Sequence, residues 1–169
     1  MKNTQIQMSE SLLIASLLAF AGGFMDVYSY ICRGHVFANA QTGNIVLLGV
    51  KLADKEWSGA AYYLIPIMSF FVGIVFSEAI KSHFGQSKLI HWRQIIIAIE
   101  FFILLFVGFI PSGSYNSFAN CLVSFVCSLQ VQSFRTVNGN AYVSTMCTGN
   151  LRSASEQLYN FNATKDKAA

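Results

Sequence analysis

Apolar stretches close to 20 residues long recur along this chain with almost no charge inside them, and about 20 residues is the length a helix needs to cross a lipid core. Four stretches have this character, at 12–31, 60–80, 95–110 and 118–137. The third reaches full length only with Trp92, Arg93 and Gln94 in the headgroup layer, where Trp and Arg are commonly found. Charged residues make up 11% of the chain, against roughly a quarter in a soluble domain. So few charges cannot cover a water-facing globule of this size. The expectation is an all-α, polytopic transmembrane helix bundle, with the lipid bilayer as its first partner.

Composition excludes other classes. The net charge is +3, with basic residues scattered between apolar segments, whereas nucleic acid needs a concentrated basic face. Cys32, Cys121, Cys127 and Cys147 follow neither disulfide nor zinc spacing. They read as small buried hydrophobes. Cys32 and His35 make no metal site by themselves, and no cofactor motif occurs. The leading "LLIASLLAFAGG" resembles a signal sequence, but apolar residues continue to Ile31, which favours a retained span.

Basic residues set the orientation. With four spans, Lys2, Lys81, Lys88, Arg93, Arg152, Lys165 and Lys167 share one side, against Arg33, Lys51 and Lys55 on the other. That places the N-terminus in the cytoplasm. The segment 37–53 is apolar but interrupted by Asn39, Gln41, Thr42, Asn44 and Lys51. A full crossing there would weaken the charge rule. A half-helix over about 42–53 keeps it, because irregular backbone is tolerated at membrane depth when protein surrounds it.

Thr42-Gly43-Asn44 recurs as Thr148-Gly149-Asn150, and a shift of 106 residues also aligns Phe37 with Val143, Ala38 with Ser144, Asp26 with Gln132 and Gly22 with Ser128. The matched order of elements suggests a duplicated half: 1–111 as first repeat and 112–169 as an incomplete second, with a Thr-Gly-Asn helix at 148–161. Three spans in the first half would invert the second, the arrangement of many transporters. Two further spans would complete the second copy, supplied by more chain or by a partner such as a second copy.

The stretch "GGFMDVYSYICRGHVFANAQTGNIVLLG" resembles the opening signature of the YoaK-like family of bacterial inner-membrane proteins. The later "SLQVQSFRTVNGNAYVSTMCTGNLRSASEQL" is similar to that family's second block. The resemblance implies a multi-pass inner-membrane architecture of about six spans, without an assigned activity. Of that architecture, the closing pair of spans is the part not expected within these 169 residues.

Candidate functional residues follow from their depth. Gly22, Asp26, Ser29 and Arg33 form one polar or small stripe on the first span. Ser128, Gln132 and Arg135 mark the corresponding stripe on the fourth. A carboxylate at mid-span costs about 2.5–3.5 kcal/mol on insertion scales, so Asp26 is expected either to pair with Arg135 or to make a structural hydrogen bond. Glu100 is a candidate proton-relay carboxylate or a packing partner for Gln94 or Arg135. Glu78 belongs at the interface with Lys81. Ser69, Gly73 and Ser77, four residues apart, form a face for close helix packing, and Pro66 is expected to kink the same helix.

The two triplets have alternative readings. As starts of half-helices, Thr42, Gly43, Asn44, Thr148, Gly149 and Asn150 would aim unpaired N–H groups into the membrane interior, where carriers hold solutes. As tight corners, they would only join helices. The expected function is transport or conduction of a small polar or anionic solute. A structural or sensory subunit is the alternative. A membrane-embedded enzyme ranks below both, because no nucleophile–base pair is visible.

Overall fold

A computed structural model of the chain describes residues 11–86, 91–137, 140–142 and 147–164. Six helices run in the order α1 (Leu12–Cys32), α2 (Gln41–Ala53), α3 (Trp57–Phe84), α4 (Trp92–Gly108), α5 (Asn116–Ser133) and α6 (Cys147–Thr164). A two-stranded hairpin, β1 (Thr136–Val137) with β2 (Asn140–Ala141), follows α5. The chain is a helical bundle in which α3, α4 and α1 surround α5.

Local chemistry sets several of the boundaries. Ser11 caps α1 by accepting the N–H of Ile14. His91 and Gln94 form a reciprocal capping box at the start of α4, which satisfies backbone donors that the first turn leaves free. Between α1 and α2 the chain reverses through Gly34 and His35, both in the left-handed region at φ 89° and 62°. Gly34 is also sterically required, because a Cβ there would lie 2.5 Å from the Tyr62 hydroxyl.

The core lies along α5. Met25, Ala38, Val107, Ala119, Val123, Val126 and Cys127 form one buried apolar cluster, and Ile80, Trp92, Ile96 and Leu129 another. Against α3 the fit depends on small side chains. Ser69 Oγ donates to the Cys121 carbonyl at 2.6 Å, and the Ser77 and Ser133 hydroxyls meet at 3.0 Å. Between them, a Cβ on Gly73 would lie 1.8 Å from Ser128 Oγ and 2.8 Å from the Phe125 carbonyl. Ser69, Gly73 and Ser77 therefore form the seam along which α3 runs parallel to α5.

The outer surface is apolar. Phe20, Phe24 and Ile31 on α1, Phe71 and Val75 on α3, and Phe101, Phe102 and Phe106 on α4 all stand exposed. Among the described residues, α1 and α3 are the helices both long and apolar enough to cross a membrane alone. The other two stretches read as spans are shorter: α4 has 17 residues, and α5 stops at Ser133 rather than reaching Val137, which lies in the hairpin.

Candidate functional site

The polar centre forms where the α1–α2 connection turns back against α1. Four successive backbone N–H groups of this connection each find a side-chain acceptor. Phe37 donates to Asn44 Oδ1 at 3.0 Å and Ala38 to Ser29 Oγ at 3.1 Å. Asn39 and Ala40 both donate to Asp26 Oδ1, at 2.8 and 3.2 Å. The Asn44 amide donates back to the Phe37 carbonyl and to Gln41 Oε1, and Gln41 Nε2 donates to the Ala38 carbonyl at 2.8 Å. The first triplet thus lies in the opening turn of α2, with Asn44 fully buried and Thr42 exposed. Gly43 lets the Phe37 ring lie against that turn, since a Cβ would sit 2.6 Å from the ring.

Asp26 therefore does not pair with Arg135, which is exposed beyond the end of α5. Its carboxylate takes backbone donors instead, because the connection brings two N–H groups to it at mid-helix. Such bonds favour a charged acceptor.

Arg33 is the buried cation of this region, at 3% exposure. Its Nε donates to the Tyr28 hydroxyl at 2.6 Å, and its Nη atoms to the carbonyls of Pro111 (3.1 Å), Ile110 (2.8 Å) and Val107 (3.4 Å). The guanidinium thus caps the C-terminal end of α4, where carbonyls lack helical partners and a cation suits the dipole. The Arg33 carbonyl accepts from Tyr62 Oη and Asn120 Nδ2, both at 2.8 Å. One residue ties α1, α3, α4 and α5 together.

Along α5, Asn120, Ser124 and Gln130 are buried to 1% exposure or less. Gln130 Nε2 donates to the Leu18 carbonyl at 2.7 Å. Gln132, the residue aligned with Asp26, lies partly buried and donates to Glu78 Oε1. Two residues along a helix turn about 200°, so the amide facing α1 is Gln130. Glu78 also lies 3.7 Å from Lys81.

Glu100, 8% exposed, faces the interior from α4. The α4 and α5 helices run antiparallel with Ile96 and Leu129 in one cluster, which brings Glu100 level with Ser124. Cys127, bonded through its thiol to Met25 at 3.7 Å, lies within electrostatic reach of both Glu100 and Asp26. Five buried polar atoms lie on the α1–α2 connection, on α5 and on α4: Asn39 Nδ2 and Oδ1, Asn120 Oδ1, Ser124 Oγ and Glu100 Oε1. Among the described residues none of the five has a hydrogen-bond partner.

The second triplet is placed differently. Thr148 and Gly149 are exposed and Asn150 half-buried in the first turn of α6, whose remaining described side chains face outward. Val143 and Ser144, the counterparts of Phe37 and Ala38, lie outside the described residues, as do Lys2, Lys88, Lys165 and Lys167. Cys32 is exposed and His35 packs edge-on to Tyr30 at 4.9 Å. Among the described residues no group of three His, Cys, Asp or Glu side chains could hold a metal.

Sequence reasoning missed Asn39, Asn120, Ser124 and Gln130. The first has no periodic signal, being in a connection. Asn120, Ser124 and Cys127 do fall on one helical stripe, at i, i+4 and i+7.

Comparison with known proteins gives this arrangement a context. The chain is 29% identical over 153 residues to UPF0700 transmembrane protein YoaK of Bacillus subtilis (strain 168). That alignment covers 86% of this chain and 66% of the relative, so the chain spans just under two thirds of the relative's length. No solved structure matches. A transmembrane relative, together with the apolar helices α1 and α3, identifies a membrane protein. Residues 14–169 match the model of a family described as "Protein of unknown function (DUF1275)", and the chain belongs to that family.

Proposed function

We propose that this chain is a multi-pass protein of the bacterial cytoplasmic (inner) membrane that moves a small polar solute through its interior, as a channel or transporter rather than an enzyme. One observation carries this reading: five partnerless polar atoms on Asn39, Asn120, Ser124 and Glu100, buried in a bundle with an apolar exterior. Buried polar groups normally find partners, and acids at membrane depth often mark ion and solute paths. Water or a hydrated solute between α4, α5 and the α1–α2 connection would satisfy these atoms.

The geometry also narrows the solute. Anions bind where backbone N–H groups are free at a helix start, but Asp26 already occupies the donors of Asn39 and Ala40. A neutral polar or cationic solute fits this site better than an anion. In the proposed topology the N-terminus is cytoplasmic, with Lys81 and Arg93 on the same side. The α2 helix, about 20 Å long by its 13 residues, enters only part of the membrane. The two Thr-Gly-Asn segments belong to inverted repeats, and a second copy of the chain is a candidate partner.

A structural or sensory subunit is the second reading. It is favoured by the completeness with which Asp26, Ser29 and Asn44 fill the donors of the connection. Swelling of proteoliposomes in glycerol, urea and ammonium salts separates the two. Transport predicts swelling above protein-free vesicles and a loss of about tenfold or more in Ser124→Leu and Glu100→Gln. Rates equal to protein-free vesicles for every solute would leave the subunit reading.

A further inference from the structure

A cleft of about 660 Å³ opens between α1 and α4, with α5 as its floor at Val123. Its size falls within the range of roughly 300–1,000 Å³ typical of small-molecule sites. Phe24 and Met25 form one wall and Leu104 and Val107 the other, so most of the surface is apolar. One end differs: the Tyr28 hydroxyl, the Arg33 guanidinium and Ser112 line it.

Two features of this cleft restrict what fits. The first is charge. Arg33 is 3% exposed, and its hydrogen bonds go to a hydroxyl and three carbonyls, all uncharged. Those bonds account for four of the five N–H groups of a guanidinium. Among the described residues no carboxylate forms an ion pair with it. The α4 dipole offsets only part of a full charge. The second is length. From Ala21 to Arg33 the α1 wall rises about 18 Å, close to one leaflet of a roughly 30 Å hydrocarbon core. Arg33 follows the last residue of α1 and lies beside the last turn of α4, at the end of both helices.

We infer that this cleft is a binding site for one anionic phospholipid of the surrounding leaflet, its acyl chain lying between Phe24 and Leu104 and its phosphate at Arg33 and Tyr28. The apolar walls receive the chain, and the phosphate supplies the negative charge that Arg33 lacks. One guanidinium N–H is left for the phosphate, and the Tyr28 hydroxyl, which accepts from Arg33 Nε, has its own O–H to donate to a second phosphate oxygen. The lining of this cleft includes none of Asn39, Glu100, Asn120 and Ser124, the residues of the proposed solute path.

Native mass spectrometry of the full chain, released from nanodiscs of equal phosphatidylglycerol and phosphatidylcholine, tests the assignment. The expected result is retention of one phosphatidylglycerol in preference to phosphatidylcholine by about tenfold, the value of one charge-assisted bond. Arg33→Gln should remove the preference. Because Arg33 also caps α4, Gly108→Phe provides a second variant: Gly108 lines the cleft, and a Cβ there meets nothing within 4 Å. That side chain should fill the groove and abolish retention of both lipids in a folded protein. Equal retention of the two lipids by the unaltered chain would overturn the inference, as would undiminished phosphatidylglycerol in Gly108→Phe.

Discussion

The α1 and α5 helices occupy corresponding places in the proposed repeat, yet the bundle treats them differently. Of the 18 residues of α5, ten are buried, including Asn120, Ser124, Ser128, Gln130 and Ser133. Of the 21 residues of α1, four are buried. A helix enclosed by α1, α3 and α4 can carry polar side chains on several faces, because protein groups answer most of them. A helix enclosed on one side keeps polar groups on a single stripe and presents Phe20, Phe24 and Ile31 outward. Hydropathy alone therefore recognises the peripheral helix more readily than the central one, and only α1 of this pair is apolar enough to stand as a span by composition.

Substitution with a larger residue should separate the two environments most strongly. Gly73→Leu drives a side chain into Ser128 and the Phe125 carbonyl on α5, at a cost of about 3 kcal/mol or more. Gly23→Leu on α1 meets nothing within 4 Å and should stay within about 0.5 kcal/mol. Unfolding by denaturing detergent from mixed micelles measures both. Similar losses at the two positions would break the contrast.

Arg33→Met tests the link between the helices. It leaves the Val107, Ile110 and Pro111 carbonyls without their donor, and the same unfolding assay should register a loss of about 2–4 kcal/mol. Hydrogen exchange should rise first in the last turn of α4. Asp26 gives a finer comparison. In Asp26→Ala the N–H groups of Asn39 and Ala40 lose their acceptor, costing about 2 kcal/mol. Asp26→Asn keeps an oxygen there and should cost about 1 kcal/mol or less. Equal effects would show that the carboxylate does not hold the connection. The smallest contrast lies within α5 itself. Gln130→Ala frees a carbonyl at Leu18 and should cost about 1 kcal/mol, whereas Gln132→Ala, toward the exposed Glu78, should stay within about 0.5 kcal/mol.

Much of this architecture could be read from residue spacing. Ser69, Gly73 and Ser77 recur every four residues and meet α5 in one line. Gly22, Asp26, Ser29 and Arg33 follow a helical stripe that leads into the polar centre. What spacing could not supply was the identity of the partners. Depth alone leaves Asp26 a choice between Arg135 and a structural hydrogen bond, and its donors are backbone groups of a connection that doubles back. Alignment of the repeats points to Gln132, while the amide that meets α1 belongs to Gln130, turned about 200° from it. Asn39 lies in a connection with no periodicity to mark it. The likeness of the triplets did not extend to their surroundings, since Asn44 is fully buried and Asn150 lies on a largely exposed helix.

The central claim is a hydrated polar interior along α5, and thiol accessibility tests it most directly. With Cys32, Cys121, Cys127 and Cys147 replaced by Ala, single cysteines at Ser124, Asn120 and Val126 can be challenged in sealed vesicles with a small water-soluble methanethiosulfonate. All three positions are buried to 1% exposure or less, so burial alone predicts equal silence. The account predicts that Ser124→Cys and Asn120→Cys react at least about tenfold faster than Val126→Cys, and that glycerol or urea slows them. Ser124→Cys as unreactive as Val126→Cys would contradict a solute path through this protein.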